Sequence, residues 1–90
     1  MDFEWDSAKA AANLRKHSVS FEEAVSALRD DLAATARDLA HSAVEFRFIT
    51  FGISARGRLL AVSHKGRGNN IRIISARLAT RNERKFYEES

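Results

Sequence analysis

The sequence predicts an α+β domain with two N-terminal helices, a four-stranded antiparallel sheet and a C-terminal helix. Helix-capping patterns stand at both ends of the chain, and the middle of the chain is rich in β-branched and aromatic residues. A length of 90 residues suits one domain spanning residues 1–90, and a hydrophobic content of 44% is enough to form a core.

Both N-terminal helices begin at capping patterns. Asp6 can cap a first helix over residues 7–16. Ser20, followed three residues later by Glu23, has the spacing of a capping box and predicts the start of the second helix. Beyond it, apolar residues recur at the spacing of one buried helix face, namely Phe21, Ala24, Val25 and Leu28.

The middle of the chain changes to strand-forming runs. Three runs cover residues 45–53, 58–65 and 70–77, and a weaker one covers 33–38. Short loops containing Gly separate the three strong runs, which predicts antiparallel hairpins. A second capping box, Thr80 with Glu83, predicts a last helix that ends near residue 89.

Alternation along the strands predicts two different faces of the sheet. One face should pack under the first two helices, with residues Ile49, Phe51, Ile53, Leu60, Val62, Ile71 and Ile73. Its rims should carry Arg47 with His64 and Arg58 with Arg77. The other face is mixed and partly basic, which suits a binding surface. It should hold Thr50, Gly52, Leu59, Ala61, Ser63, Lys65, Arg72, Ile74 and Ala76.

Charge is divided unevenly along the chain. Residues 1–45 carry five Lys/Arg against nine Asp/Glu, a net of −4, whereas residues 46–90 carry ten against three, a net of +7. Seven of the eight bases between Glu45 and Glu83 are Arg, whose guanidinium binds phosphate with two parallel hydrogen bonds. A nucleic-acid partner is the natural interpretation, and a basic surface that meets solvent or an acidic protein is the alternative.

Several classes of protein are excluded by composition. With no Cys there is no disulfide framework, thiolate zinc site or cysteine nucleophile, which fits a reducing cytoplasm. No apolar run is long enough for a membrane span, and the acidic start Met1-Asp2-Phe3-Glu4 lacks the basic-then-apolar layout expected of a signal peptide. No carboxylate lies between residues 46 and 82, and we expect neither a metal nor another cofactor.

RNA cleavage requires neither a metal nor a covalent enzyme intermediate. The ribose 2′-OH attacks the adjacent phosphorus when a base takes its proton, and cations stabilise the charge that develops. We predict catalytic roles for His64, Arg72 and Arg77. The predicted RNA-binding residues are Arg47, Arg56, Arg58, Lys65, Arg67, Arg81 and Arg84.

Each of these residues also has a structural interpretation. His64 can be a half-buried residue at the sheet rim. Arg72 and Arg77 can form salt bridges inside the fold. Phe86 and Tyr87 on the last helix can stack a base or anchor the helix, and Glu83 can cap a helix or act as a general base.

The chain resembles the BrnT family of small toxins. The resemblance begins at Phe3-Glu4-Trp5-Asp6 and continues through Lys9, Asn13 and Lys16-His17. Its most specific part is Arg72-Ile73-Ile74-Ser75-Ala76-Arg77, followed by Ala79-Thr80-Arg81, Glu83-Arg84 and Tyr87. One departure lies in the hairpin, where relatives often carry an acid after His-Thr and this chain has Lys65-Gly66.

Membership in this family implies a RelE-like fold and a ribonuclease activity that stops translation and growth. It also implies a BrnA-type antitoxin whose ribbon-helix-helix domain binds operator DNA through the complex. Two hypotheses follow. The first is an RNA-cleaving toxin, and the second is a non-catalytic or degenerate relative whose basic surface binds nucleic acid or an acidic partner.

Overall fold

The computed structural model of the protein describes residues 2–39 and 46–90 and has the predicted α+β class. The elements, in chain order, are β1 (Phe3–Glu4), α1 (Ser7–His17), α2 (Phe21–Leu28), β2 (Ala34–Arg37), β3 (Phe48–Ile53), β4 (Leu59–Arg67), β5 (Asn70–Leu78) and α3 (Arg81–Glu89). Residue 45, where the first strong strand was predicted to begin, lies outside the described residues.

The sheet has five strands in the order β1-β5-β4-β3-β2, so the prediction of four antiparallel strands is incomplete. Strands β2 to β5 pair antiparallel as expected. The additional strand β1 pairs in parallel with β5, which places Phe3 opposite Ile71 and Glu4 opposite Arg72. Two residues are too few to give an alternating pattern, so the sequence carries no periodic signal for β1.

Helix α1 lies along the edge of β5 beyond the end of β1. The Asp6 side chain caps the helix by accepting hydrogen bonds from the backbone N–H groups of Ala8 and Lys9. Near the middle of the helix, the buried amide of Asn13 donates to the carbonyl of Ala76 at 2.8 Å and accepts from the Ala76 N–H at 3.1 Å. A side chain therefore replaces a neighbouring strand at this point of the sheet.

Helix α2 covers one face of the sheet, which we call the α2 face. Its Phe21, Ala24 and Ala27 are buried in one core cluster with strand residues Leu60, Val62, Ile73 and Ala76. The predicted capping box is only half formed. Ser20 accepts from the Glu23 N–H, but the Glu23 side chain turns instead to Ser54 and Arg58.

The predicted division of residues between the two faces is correct for β4 and reversed for β3. Thr50 lies opposite Val62 and Gly52 opposite Leu60, so even-numbered residues of both strands share the α2 face. The five-residue loop 54–58 leaves Ile53 opposite Leu59 and shifts the expected pairing by one residue. Gly57 adopts φ +77 in this loop, and the Ser54 N–H closes it on the Arg58 carbonyl.

A β-bulge in β5 changes which arginines share a face. Ser63 lies opposite Ser75, whereas the next residue, His64, lies opposite Ile73, so Ile74 is the extra residue. In a regular strand Arg72 and Arg77 point to opposite faces because they are five residues apart. The bulge places both on the face opposite α2, and it moves Ala76 into the core beneath α2.

Helix α3 packs on this second face. It covers a cluster of Phe51, Leu59 and Ala61, to which Tyr87 contributes. The predicted capping box of Thr80 and Glu83 is complete. Phe86 meets Phe51 edge to face with ring centroids 5.5 Å apart. The Tyr87 hydroxyl donates to Asp30 at 2.6 Å, so both aromatic residues anchor the helix.

Candidate nucleic-acid interface

Helix α3 covers only part of the sheet face opposite α2 and leaves the rest of that face open. This open part, which we call the basic half-face, consists of Ser63 and Lys65 on β4 and of Arg72, Ser75 and Arg77 on β5. All five residues are half-buried. Three cations and two hydroxyls thus stand side by side on rigid paired strands, which is a geometry suited to a phosphate backbone.

Glu4 lies beside the cations of this surface, although no carboxylate was expected there. Its Oε2 is 2.9 Å from Arg72 Nη1 and 3.4 Å from Arg67 Nη1, and its Oε1 accepts from Asn70 Nδ2 at 3.3 Å. The hydrogen bonds from Asn70 and Arg72 hold the pKa of Glu4 below its usual range. Sequence analysis missed Glu4 because 68 residues separate it from Arg72 and only the parallel pairing of β1 brings them together.

Arg77 also has a carboxylate partner. Its Nη1 and Nη2 donate to Glu83 Oε1 and Oε2 at 2.7 and 2.9 Å, and the Thr80 N–H donates to the same carboxylate. The hydrogen bonds from Arg77 lower the pKa of Glu83. The salt-bridge interpretation of Arg72 and Arg77 therefore describes the free protein, but their side chains keep 24% and 38% of their surface exposed.

His64 lies on the opposite side of the sheet from the two arginines. Its Nε2 is 2.7 Å from Thr50 Oγ1, which is itself 2.7 Å from Thr35 Oγ1. Its ring stacks on Phe48, which occupies the position opposite His64 where Arg47 was expected. Burial lowers the pKa of His64. The structure thus brings Arg72 and Arg77 to one surface and leaves the third predicted catalytic residue on the other.

The predicted RNA-binding residues are divided between the two ends of the sheet. Lys65 belongs to the basic half-face, and Arg67 adjoins it through Glu4. Arg81 and Arg84 are exposed on the first turn of α3. The structure does not bring two others, Arg56 and Arg58, to this surface. Arg58 is tied to Glu23 under α2, Arg56 lies in loop 54–58 at the far end of β4, and Arg47 precedes β3.

Neither a metal cluster nor a membrane span is found in the part of the chain that the structure describes. Across residues 2–39 and 46–90, no three His, Cys, Asp or Glu side chains are grouped as a metal site would need. The helices of the same residues are all too short or too polar to cross a bilayer.

Comparison with known proteins gives a family match and a structural match. A family model described as "Ribonuclease toxin, BrnT, of type II toxin-antitoxin system" matches residues 5–83. The crystal structure of the Brucella abortus ribonuclease toxin, BrnT, superposes with a TM-score of 0.66 and 25% sequence identity. The match covers 90% of this chain and 99% of that one. No curated protein matches significantly.

Proposed function

This chain belongs to the BrnT family of ribonuclease toxins from type II toxin–antitoxin systems, and we propose that it cleaves RNA on the basic half-face without a metal ion. The observation that carries the proposal is the placement of Lys65, Arg72 and Arg77 on one open surface. RNA cleavage would inhibit translation and growth in the cytoplasm.

In this proposal Arg72 and Arg77 would stabilise the negative charge of the reacting phosphate. A phosphodiester that enters the half-face competes with Glu4 for Arg72 and with Glu83 for Arg77, since each guanidinium has more donors than its carboxylate uses. Because a phosphorane carries more negative charge than the ground-state phosphate, fixed guanidinium groups stabilise it preferentially.

Glu4 is the best-placed proton acceptor among the described residues of this surface. The other carboxylate, Glu83, is held by both Arg77 nitrogens and by the Thr80 N–H, whereas Glu4 Oε1 has only Asn70. In the proposed step the 2′-OH proton passes to Glu4, the 2′-oxygen–phosphorus bond forms and the bond to the 5′-oxygen breaks. Water protonates the leaving oxygen, and the products carry 2′,3′-cyclic phosphate and 5′-hydroxyl ends.

The predicted catalytic role of His64 remains open to test. A general acid or base should give an inflection in the pH–rate profile, and His64→Gln should remove it because Gln cannot transfer the proton. An unchanged profile in this variant would assign His64 to the Thr50–Thr35 hydrogen-bond chain alone.

The test of the main proposal uses the purified protein and a short RNA in excess EDTA. Cleavage should continue, and mass spectrometry should find 2′,3′-cyclic phosphate ends. A 2′-deoxy nucleotide at the cleavage position should permit binding and block cleavage. Loss of activity in EDTA that is restored by Mg²⁺ would contradict the mechanism.

A second candidate function is a non-catalytic RNA-binding or protein-binding module. Two observations favour it: Arg72 and Arg77 are already paired with carboxylates, and His64 lies across the sheet. Expression of the chain alone separates the candidates. Growth arrest with RNA cleavage supports the toxin, whereas unimpaired growth supports the module.

We further propose a BrnA-type antitoxin with a ribbon-helix-helix domain as the protein partner, with operator DNA bound through the complex. Membership in a toxin–antitoxin family supports a protein partner of this kind. An acidic antitoxin segment over the basic half-face would block RNA access and would bind faster at low salt. Stopped-flow association at rising ionic strength tests this, and a salt-independent rate would contradict it.

A further inference from the structure

Helix α1 presents two lysines and a histidine to a cleft at the edge of the sheet. Lys9, Lys16 and His17 lie on the helix face that also carries Asn13, because spacings of seven and eight residues return to one side of a helix. The cleft has a volume of about 220 Å³. Its lining consists of Lys9, Ala12, Asn13, Lys16, His17, Ile74 and Ser75.

The cleft results from the way in which β5 is covered along its edge. Strand β1 pairs with β5 only at Ile71 and Arg72, and the Asn13 amide takes over at Ala76. Ile74 and Ser75 lie between these two contacts, at the bulge, and form the wall of the cleft opposite α1. The gap is therefore held open by hydrogen bonds on both sides, which makes it a fixed feature of the fold.

The charged side chains of the cleft differ from the arginines on and beside the basic half-face, because those arginines are paired with carboxylates. Arg67, Arg72 and Arg77 are all in ion pairs with carboxylates. In contrast, no ion pair with a carboxylate in residues 2–39 or 46–90 involves the side chain of Lys9, Lys16 or His17. Because no carboxylate must first be displaced, the charges of the two lysines and a ring N–H of His17 are available to an incoming anion.

The cleft is continuous with the basic half-face around the edge of β5. Ser75 belongs to both, since it lines the cleft and lies opposite Ser63. Asp6 also links the cleft to the basic half-face, because its carboxylate feels the charges of both Lys9 and Arg72. The backbone N–H groups of Lys9 and Ala8 hold the pKa of Asp6 below its usual range, and the charges of Lys9 and Arg72 lower it further.

We infer that the α1–β5 cleft is a second RNA subsite, which holds a backbone phosphate outside the nucleotides that react. This inference rests on the proposed function, because it continues the RNA path from the basic half-face past Ser75. A cleft of about 220 Å³ accommodates one sugar–phosphate unit, with Ala12 and Ile74 as apolar contacts and the cations around the phosphate.

The test measures binding of a length series of RNAs with a 2′-deoxy nucleotide at the cleavage position, so that none is cut. Fluorescence anisotropy is recorded for the wild type and for the double variant Lys9→Ala/Lys16→Ala. We expect about tenfold weaker binding of RNAs long enough to reach the cleft and unchanged binding of the dinucleotide. The slope of log affinity against log salt should fall by about 0.7 for each phosphate that the double variant no longer neutralises.

Arg15→Ala is the matched control. Arg15 lies in the same last turn of α1 and is exposed, but it does not line the cleft. Thermal melting of both variants confirms that they fold. Equal affinities of the double variant and the Arg15 variant for long RNA would overturn the inference, as would a double variant that loses antitoxin binding while its RNA binding is unchanged. Failure of the proposed function itself is distinguishable, because the wild type would then not cleave any RNA of the series in its all-ribose form.

Discussion

Two arginine–carboxylate clusters stand at opposite ends of the sheet, and they differ mainly in burial. Under α2, Glu23 accepts from Arg58 Nε at 2.9 Å and from Ser54 Oγ at 2.7 Å, and its side chain is 5% exposed. At the edge of β5, Glu4 accepts from Arg72, and 29% of its side chain is exposed. Similar chemical groups thus form one cluster around a buried carboxylate and one, the open cluster, around a partly exposed carboxylate, whereas Arg58 and Arg72 are exposed to similar extents of 27% and 24%.

The difference in burial separates a structural role from a functional one. Arg58 ties Glu23 of α2 to loop 54–58 and also donates to the Ser18 carbonyl, so it joins three segments and cannot turn to a ligand. Arg72 is held by an exposed carboxylate, and exposed ion pairs contribute little to stability. A phosphate can therefore displace Glu4 at low cost, which makes the open cluster available for binding.

The sharpest test of this comparison is Glu4→Gln. Loss of a general base should lower RNA turnover by about 10³-fold, while the melting temperature changes little because the Glu4 side chain is partly exposed. Single-turnover cleavage and thermal melting measure the two effects. Full activity in Glu4→Gln would remove Glu4 from the mechanism and assign it to holding Arg67 and Arg72 in place.

Glu23→Gln should have the converse effect. The substitution leaves Arg58 without its counter-charge and should destabilise the fold by about 3 kcal/mol, while turnover per folded molecule is unchanged. Chemical denaturation measures the loss. Glu22→Gln, one position earlier on the exposed side of α2, should change stability by less than about 0.5 kcal/mol.

Arg72→Ala and Arg77→Ala should each reduce turnover by about 10²-fold, since each removes a cation from the developing phosphorane. Both pairs are partly exposed, so melting temperatures should change little. Lys85→Ala, an exposed cation of α3 away from the half-face, serves as the control. A variant that melts far below the wild type would mark its arginine as structural.

The smallest expected effect is a loss of folding stability in acid that depends on the Glu23–Arg58 pair. The hydrogen bond from Arg58 holds the pKa of Glu23 below its usual value of 4.5, so this pair contributes stability above that pH. The contribution is lost as pH falls through the lower pKa of the folded state. Denaturation between neutral pH and acid should therefore show a decline below about pH 4.5 that Glu23→Gln weakens and Glu22→Gln retains.

Local sequence signals predicted the elements well. The caps at Asp6 and Thr80 mark the starts of α1 and α3. The Ser20 cap is correct too, but only one half of its box forms, because Arg58 and Ser54 bind the Glu23 carboxylate more favourably than a backbone N–H does. Contacts within a few residues are set by the sequence itself, whereas a charged partner from a distant loop can override them.

Local sequence signals did not predict which residues share a surface of the sheet. The loop 54–58 shifted β3 against β4 by one residue, and the bulge at Ile74 brought Arg72 and Arg77 together while His64 stayed across the sheet. A change of one residue in pairing reverses every side chain beyond it. Small differences in loop and bulge geometry therefore determine the composition of the site.

The sequence alone determined the α+β class, the positions of the three helices and of strands β2 to β5, the excess of arginine in the second half and the resemblance to a toxin family. The class, the elements and the charge asymmetry follow from periodicity, capping and composition, which act over short distances along the chain, whereas the resemblance rests on short motifs. Only the tertiary structure decided that Glu4 reaches Arg72, that Glu23 holds Arg58, and that α1 leaves a cationic cleft beside β5. Those contacts join residues 35 to 68 positions apart, and strand register, burial and packing determine them together.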